Sequence, residues 1–161
     1  MVNKTGCISL LAALLLMAGC NTSGCLDNGS SIPLAGFYFS DGKPIQLDSL
    51  AIHGVGAPND SLLITPGTTV SEVYLPLRST ANATSYVIHY TYKALDSDRY
   101  NDTISLDYTS IPYFVSEECG AMYYYHIDQM DYTTHLIESI EITDSLITNV
   151  DQQRLKIYMR Q

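Results

Sequence analysis

The feature that most constrains this chain is a side-chain period of two. Leu155, Ile157 and Met159 fall on one side of an extended segment, with Arg154, Lys156, Tyr158 and Arg160 on the other. Such alternation specifies a strand with one face on a core and one in water. The period returns in Tyr86, Ile88, Tyr90 and Tyr92 against Val87, His89, Thr91 and Lys93, and in Ile104, Leu106 and Tyr108 against Ser105, Asp107 and Thr109. It returns again in Val73, Leu75 and Leu77, where Pro76 marks an edge position because it cannot donate to a ladder. Leu34 to Phe39, Ile45 to Val55, Ser61 to Ile64, Tyr113 to Val115, Met122 to Ile127 and Ile140 to Ile142 complete eight or nine short strands divided by turn residues. The pattern predicts an all-β chain, an antiparallel β-sandwich of the immunoglobulin-like or a related kind. Thirteen tyrosines and no tryptophan agree with strand preference. Asp128 to Ser145 is the ambiguous stretch, because Leu136, Ile137 and Ile140 also fit a helical turn or two.

The N-terminus follows a different rule. Lys4 is its one charge, and Ile8 to Met17 is apolar except for Ser9. That run falls short of the roughly 20 apolar residues a membrane-spanning helix needs, but it suits the apolar region of a secretory signal. It ends in Met17-Ala18-Gly19-Cys20, which resembles the lipobox of bacterial lipoproteins. The resemblance implies a signal peptide over residues 1–19 and a Cys20 that becomes the acylated, palmitate-type N-terminus of the mature chain. The alternative is an ordinary secretory signal with a chance cysteine. Each buried CH₂ of an acyl chain contributes about 0.8 kcal/mol, so two or three chains anchor stably. Asn21-Thr22-Ser23-Gly24 holds neither an inner-membrane retention aspartate nor a surface-export cluster. The expected location is the periplasmic face of the outer membrane, with residues 20–31 as a short tether and 32–161 as one β domain.

Removing residues 1–19 takes one of the eight basic side chains and none of the seventeen acidic ones, so the mature charge is 7 − 17 = −10. That balance argues against nucleic acid, whose phosphates demand Lys and Arg, and against adhesion to anionic lipid. With Cys7 in the signal and Cys20 lipidated, Cys25 and Cys119 remain. In an oxidising compartment such a leftover pair is expected as a disulfide, the alternative being two buried free thiols. The bridge would close about a hundred residues, worth up to ~4–5 kcal/mol by loop entropy.

Chemistry-bearing clusters are few. Asp96-Ser97-Asp98-Arg99-Tyr100-Asn101-Asp102 offers oxygen ligands at alternate positions, but Asn101 stands where an EF-hand loop needs Gly; a solvated turn is the plainer reading. His126, Asp128, Asp131 and His135 lack a recognisable zinc spacing and a fourth ligand. His53 and His89 read as half-buried strand residues. There is no Gly-x-Ser-x-Gly elbow, and Glu117-Glu118 has no glycosidase-like spacing. Tyr123-Tyr124-Tyr125 alternate in direction along a strand, which fits packing better than a sugar platform. The expectation is a chain with no catalytic group, metal or cofactor.

One short pattern recurs. Asp48-Ser49-Leu50, Asp60-Ser61-Leu62, Asp102-Thr103-Ile104 and Asp144-Ser145-Leu146 all read Asp, hydroxyl, aliphatic. This resembles the O-glycosylation site of Bacteroidetes-type envelope proteins, which makes Ser49, Ser61, Thr103 and Ser145 candidate acceptors. An Asp-Ser turn at a strand start explains the pattern equally well.

Taken together, the chain resembles a family of small Bacteroidetes-type lipoproteins of unknown function. The resemblance rests on Cys20 with Cys25 close behind, on Tyr74-Leu75-Pro76-Leu77, on Asp102-Thr103-Ile104-Ser105-Leu106-Asp107-Tyr108, and on Val115-Ser116-Glu117-Glu118-Cys119-Gly120. It implies no activity and supports the paired cysteines. The functional expectation is a non-enzymatic envelope module, lipid-anchored, that binds or braces another envelope protein or a glycan. The rival expectation is a small-ligand binder, for lipid or glycan, with a Tyr-lined cavity.

Overall fold

The structure, a computed structural model, describes residues 31–117 and 119–160. The expected signal peptide 1–19, Cys20 and Cys25 lie outside the described residues. Among the described residues, strands form two sheets. One has the order β4 (Glu72–Tyr74), β1 (Leu34–Phe39), β10 (Gln153–Met159) and β8 (Ile137–Ile142). The other runs β3 (Leu62–Ile64), β2 (Leu50–Gly54), β5 (Ala83–Tyr90), β6 (Asp102–Ser116), β7 (Gly120–Tyr132) and β9 (Leu146–Ile147). This is an all-β, sandwich-like fold.

Alternation puts the apolar set inside. Ala35, Phe37, Leu155, Ile157 and Ile137 of the first sheet share one buried cluster with Ile52, Ile88, Ile104, Leu106, Tyr108 and Ile127 of the second. Each large side chain so buried contributes roughly 1.5–3 kcal/mol. The expected strand over Leu34–Phe39 and the inward faces of β5, β6 and β10 are in place.

Several expectations need correction. The sandwich is not antiparallel throughout: β1 pairs parallel with β10, from Ala35 opposite Leu155 to Phe39 opposite Met159. Ile45 to Val55 is not one strand; only Leu50–Gly54 forms β2, while Leu47 makes an isolated bridge to Val70. Arg154 was expected to face water but is buried against Asp144. Tyr113 to Val115 and Met122 to Ile127 are not separate short strands; they are the far ends of the long β6 and β7. No helical turn forms around Leu136, where the chain enters β8. Pro76 lies just past β4, which is indeed an edge strand.

Candidate functional site

The β6–β7 hairpin divides into two parts. Near its base, β6 pairs with β5 from Asp102 to Asp107, and Tyr108 N–H donates to the Asn82 carbonyl. On the other side, β7 pairs with β9 only at Tyr125 and His126. Past these points β6 and β7 pair only with each other among the described residues, through Ile111 opposite Tyr124, Pro112 opposite Tyr123, Tyr113 opposite Met122 and Phe114 opposite Ala121. At ~3.4 Å per residue this two-stranded ribbon is about 20 Å long.

Its composition is aromatic, with Tyr113, Phe114, Tyr123, Tyr124 and Tyr125 close together. Residues 109–116 and 120–125 carry no charged side chain in a protein of net charge −9. Opposed residues share a face, so Pro112, Phe114, Ala121 and Tyr123 continue the face that buries Tyr108 and Tyr125. Beyond the core no described strand lies against that face, and Phe114 is 65% exposed. On the other face the rings of Tyr113 and Tyr124 stack 4.8 Å apart. The Tyr123-Tyr124-Tyr125 alternation is as expected, with Tyr125 alone in the core.

The ribbon ends in a three-residue turn. Ser116 Oγ accepts the Cys119 N–H at 3.1 Å, and Gly120 adopts φ +76°, a conformation that favours glycine. The Ser-x-x-Cys-Gly segment is therefore a hairpin end. Cys119 is disulfide-bonded. Cys25, its expected partner, lies outside the described residues, as do the sequence's other cysteines, Cys7 and Cys20.

At the opposite end of β6 sits a feature the sequence did not announce. Asp102 is fully buried. Its carboxylate accepts the Tyr90 hydroxyl at 2.9 Å, the Thr133 hydroxyl at 2.8 Å, and the backbone N–H groups of His135, Leu136 and Ile137 at 2.8, 2.8 and 3.0 Å. Burial pushes its pKa up, but the donors of Leu136, His135, Thr133 and Ile137 outweigh that, and the carboxyl lies below its ordinary value. Asp102 thus holds the 133–137 crossover against the core. Among the described residues no group of three or more side chains is arranged to hold a metal ion. In the Asp96–Asp102 turn, Asp96 and Asn101 bind the two ring nitrogens of His89 instead.

The four candidate metal residues near β7 disperse. His135 gives its N–H to Asp102, and Asp131 accepts Gln129. His126 and Asp128 do meet, Nδ1 to Oδ1 at 2.9 Å, and this hydrogen bond lowers the Asp128 pKa. Ser145 Oγ lies 3.1 Å from His126 Nε2. That order resembles nucleophile, base and orienting acid. The cluster lies open on the sheet surface, however, with both the His126 and Asp128 side chains about half exposed. Leu146 N–H, the backbone donor after Ser145, is bonded to Asp144 Oδ1 at 2.9 Å. A donor so engaged is not free to hold an oxyanion.

Of the candidate acceptors, Ser61 is exposed, and Ser49, Thr103 and Ser145 are half-buried. Their aspartates have local duties: Asp48 accepts the Ser49 hydroxyl, Asp144 accepts Leu146 N–H and pairs with Arg154, and Asp102 is the buried acceptor just described. The tyrosines do not line one cavity. Tyr86, Tyr90, Tyr108 and Tyr125 belong to the packed core, and Tyr86 and Tyr108 use their hydroxyls to pin the Pro76 and Arg78 carbonyls. One end of the sandwich has a cleft of about 240 Å³ beside Phe39, Tyr90 and Tyr92, below the roughly 300–1,000 Å³ usual for ligand pockets.

No curated protein and no solved structure matches the chain. A family model described as a family of unknown function (DUF6452) matches residues 49–159, from just before β2 to the end of β10 and including the Asp102 centre and the whole hairpin. That span exceeds half of the sequence, and the chain belongs to the DUF6452 family of unknown function.

Proposed function

We propose that this protein is a lipid-anchored envelope lipoprotein whose β domain serves as a non-enzymatic binding or bracing module. The observation that carries the reading is the charge-free aromatic ribbon ending at a disulfide-bonded Cys119, which offers an apolar contact surface. The Met17-Ala18-Gly19-Cys20 motif supports the anchor, and Cys25 is the proposed partner of Cys119. Asn21-Thr22-Ser23-Gly24, with neither a retention aspartate nor an export cluster, supports a place on the periplasmic face of the outer membrane. The rival, a small-ligand binder, is supported by the small cleft beside Tyr90 and Tyr92.

Mass spectrometry of the N-terminal peptide from the native membrane tests the anchor: a diacylglycerol-bearing Cys20 is expected, and an unmodified Cys20 refutes it. A fluorophosphonate probe tests the absence of catalysis. Ser145 should stay unlabelled, and stoichiometric labelling lost in His126→Ala would make the protein a hydrolase instead.

A further inference from the structure

We propose that the distal β6–β7 ribbon rests on the bilayer to which the chain is anchored, with Phe114, Pro112 and Tyr123 in the interfacial layer of a zwitterionic lipid surface. The inference rests on the lipoprotein reading and adds the orientation of the domain and a second membrane contact.

Three observations converge on it. The first is connectivity. Cys119 at the ribbon's end is disulfide-bonded, and every other cysteine of the sequence stands at position 7, 20 or 25. Any bridge within the chain therefore ties the ribbon's end to the N-terminal segment. With Cys25 as partner, five residues separate the bridge from the lipid-bearing Cys20, a reach of at most about 18 Å. With roughly 6 Å more across the bridge, the ribbon's end then stays within about 24 Å of the lipid-bearing residue.

The second is chemistry. Aromatic side chains with one polar end favour the membrane–water interface, and tyrosine is enriched there. The ribbon supplies Tyr113, Tyr123 and Phe114, all exposed, with Ile111, and no charge that would need to be dehydrated. The third is charge placement. Glu117 stands exposed at the turn, where anionic lipid would repel it and the amine of a zwitterionic headgroup would receive it. This selects the class of lipid and places the turn in the headgroup layer rather than in the hydrocarbon.

The test exploits the absence of tryptophan from the sequence. Phe114→Trp gives a single reporter on the ribbon. Tyr92→Trp gives one at the other end of the sheet, beyond the β5 terminus that pairs with Leu50. The lipidated full-length variants are reconstituted in phosphatidylcholine–phosphatidylethanolamine vesicles that include brominated phosphatidylcholine. The expected result is blue-shifted emission at position 114, loss of intensity to the brominated lipid and protection from iodide, with Tyr92→Trp unshifted and quenched by iodide. Equal iodide quenching at both positions in vesicle-bound protein overturns the inference and leaves the anchor standing. Protection at 114 in native membranes but not in pure lipid vesicles also overturns it, in favour of a protein contact. An unmodified Cys20 with no co-flotation refutes the anchor itself, and the orientation with it.

Discussion

The two halves of the β6–β7 ladder follow the same local rules and meet different fates. In the proximal half, Ile104, Leu106 and Tyr108 alternate with polar residues and are buried between the sheets. In the distal half, Pro112 and Phe114 continue the same face, yet both are exposed. Hydrogen bonding between the two strands persists through both. What differs is the neighbourhood: β5 flanks the proximal part and the opposite sheet covers it, while no described strand flanks the distal part. An isolated two-stranded ribbon is marginal in water. An apolar one retained at a disulfide-bonded end calls for a surface to lie on, and this difference underlies the proposed membrane contact.

The contrast can be broken or sharpened by substitution, beginning where the effect should be largest. Asp102→Ala leaves five donors without their acceptor. At about 1–3 kcal/mol for each donor left buried and unsatisfied, the loss should be on the order of 3–5 kcal/mol even with some rehydration. Urea unfolding reads it directly, and a loss below ~1 kcal/mol would mean the proximal half does not depend on this centre. The same carboxylate sets an acid limb. Its folded pKa is lowered from 3.8, so its contribution is fully present above that value and disappears as pH falls through the folded one. Asp102→Asn should flatten stability against pH in that window.

Tyr108→Phe keeps the ring in the core and removes the hydroxyl that donates to the Arg78 carbonyl and accepts the Arg78 N–H. A cost of about 1–2 kcal/mol is expected in the unfolding midpoint. An unchanged midpoint would show that the Tyr108 hydroxyl adds nothing to the hold on the 75–78 segment. In the distal half, Gly120→Ala puts a Cβ on a residue at φ +76°. The strain is worth about 1 kcal/mol. Hydrogen exchange should report it in amides of 111–124 and leave those of 102–108 unchanged; faster exchange in both halves would make the hairpin a single cooperative unit. The smallest effect belongs to Phe114→Ala, which should alter global stability by no more than ~0.5 kcal/mol in detergent-free solution. A larger loss would mean that Phe114 is packed in the folded monomer, which would remove the case for an exposed contact face.

Much of this molecule was legible in its sequence, for a physical reason. Alternation with period two is a local property, so β1, β5, β6 and β10 and their inward residues Phe37, Ile88, Leu106 and Ile157 could be read directly. The turn role of Gly120 was equally local, and so was the edge character of the Pro76 segment. Partners across space were not legible. Asp102 looked like one more turn aspartate, because nothing near it in sequence reveals that Tyr90 and residues 133–137 converge on its carboxylate. Arg154 sits on the polar side of its strand, and only the nearby Asp144 makes its burial tolerable. The meeting of His126, Asp128 and Ser145 required β7 and the turn before β9 to come together. The sequence alone determined the class of fold and which residues of each strand point inward, since those depend on chain geometry and apolar transfer. Only the tertiary structure decided that β1 lies parallel to β10, that a buried carboxylate closes the base of the hairpin, and that the same alternation is core at Tyr108 and open surface at Phe114. Burial depends on what stands opposite a residue, and sheet order settles that, not strand pattern.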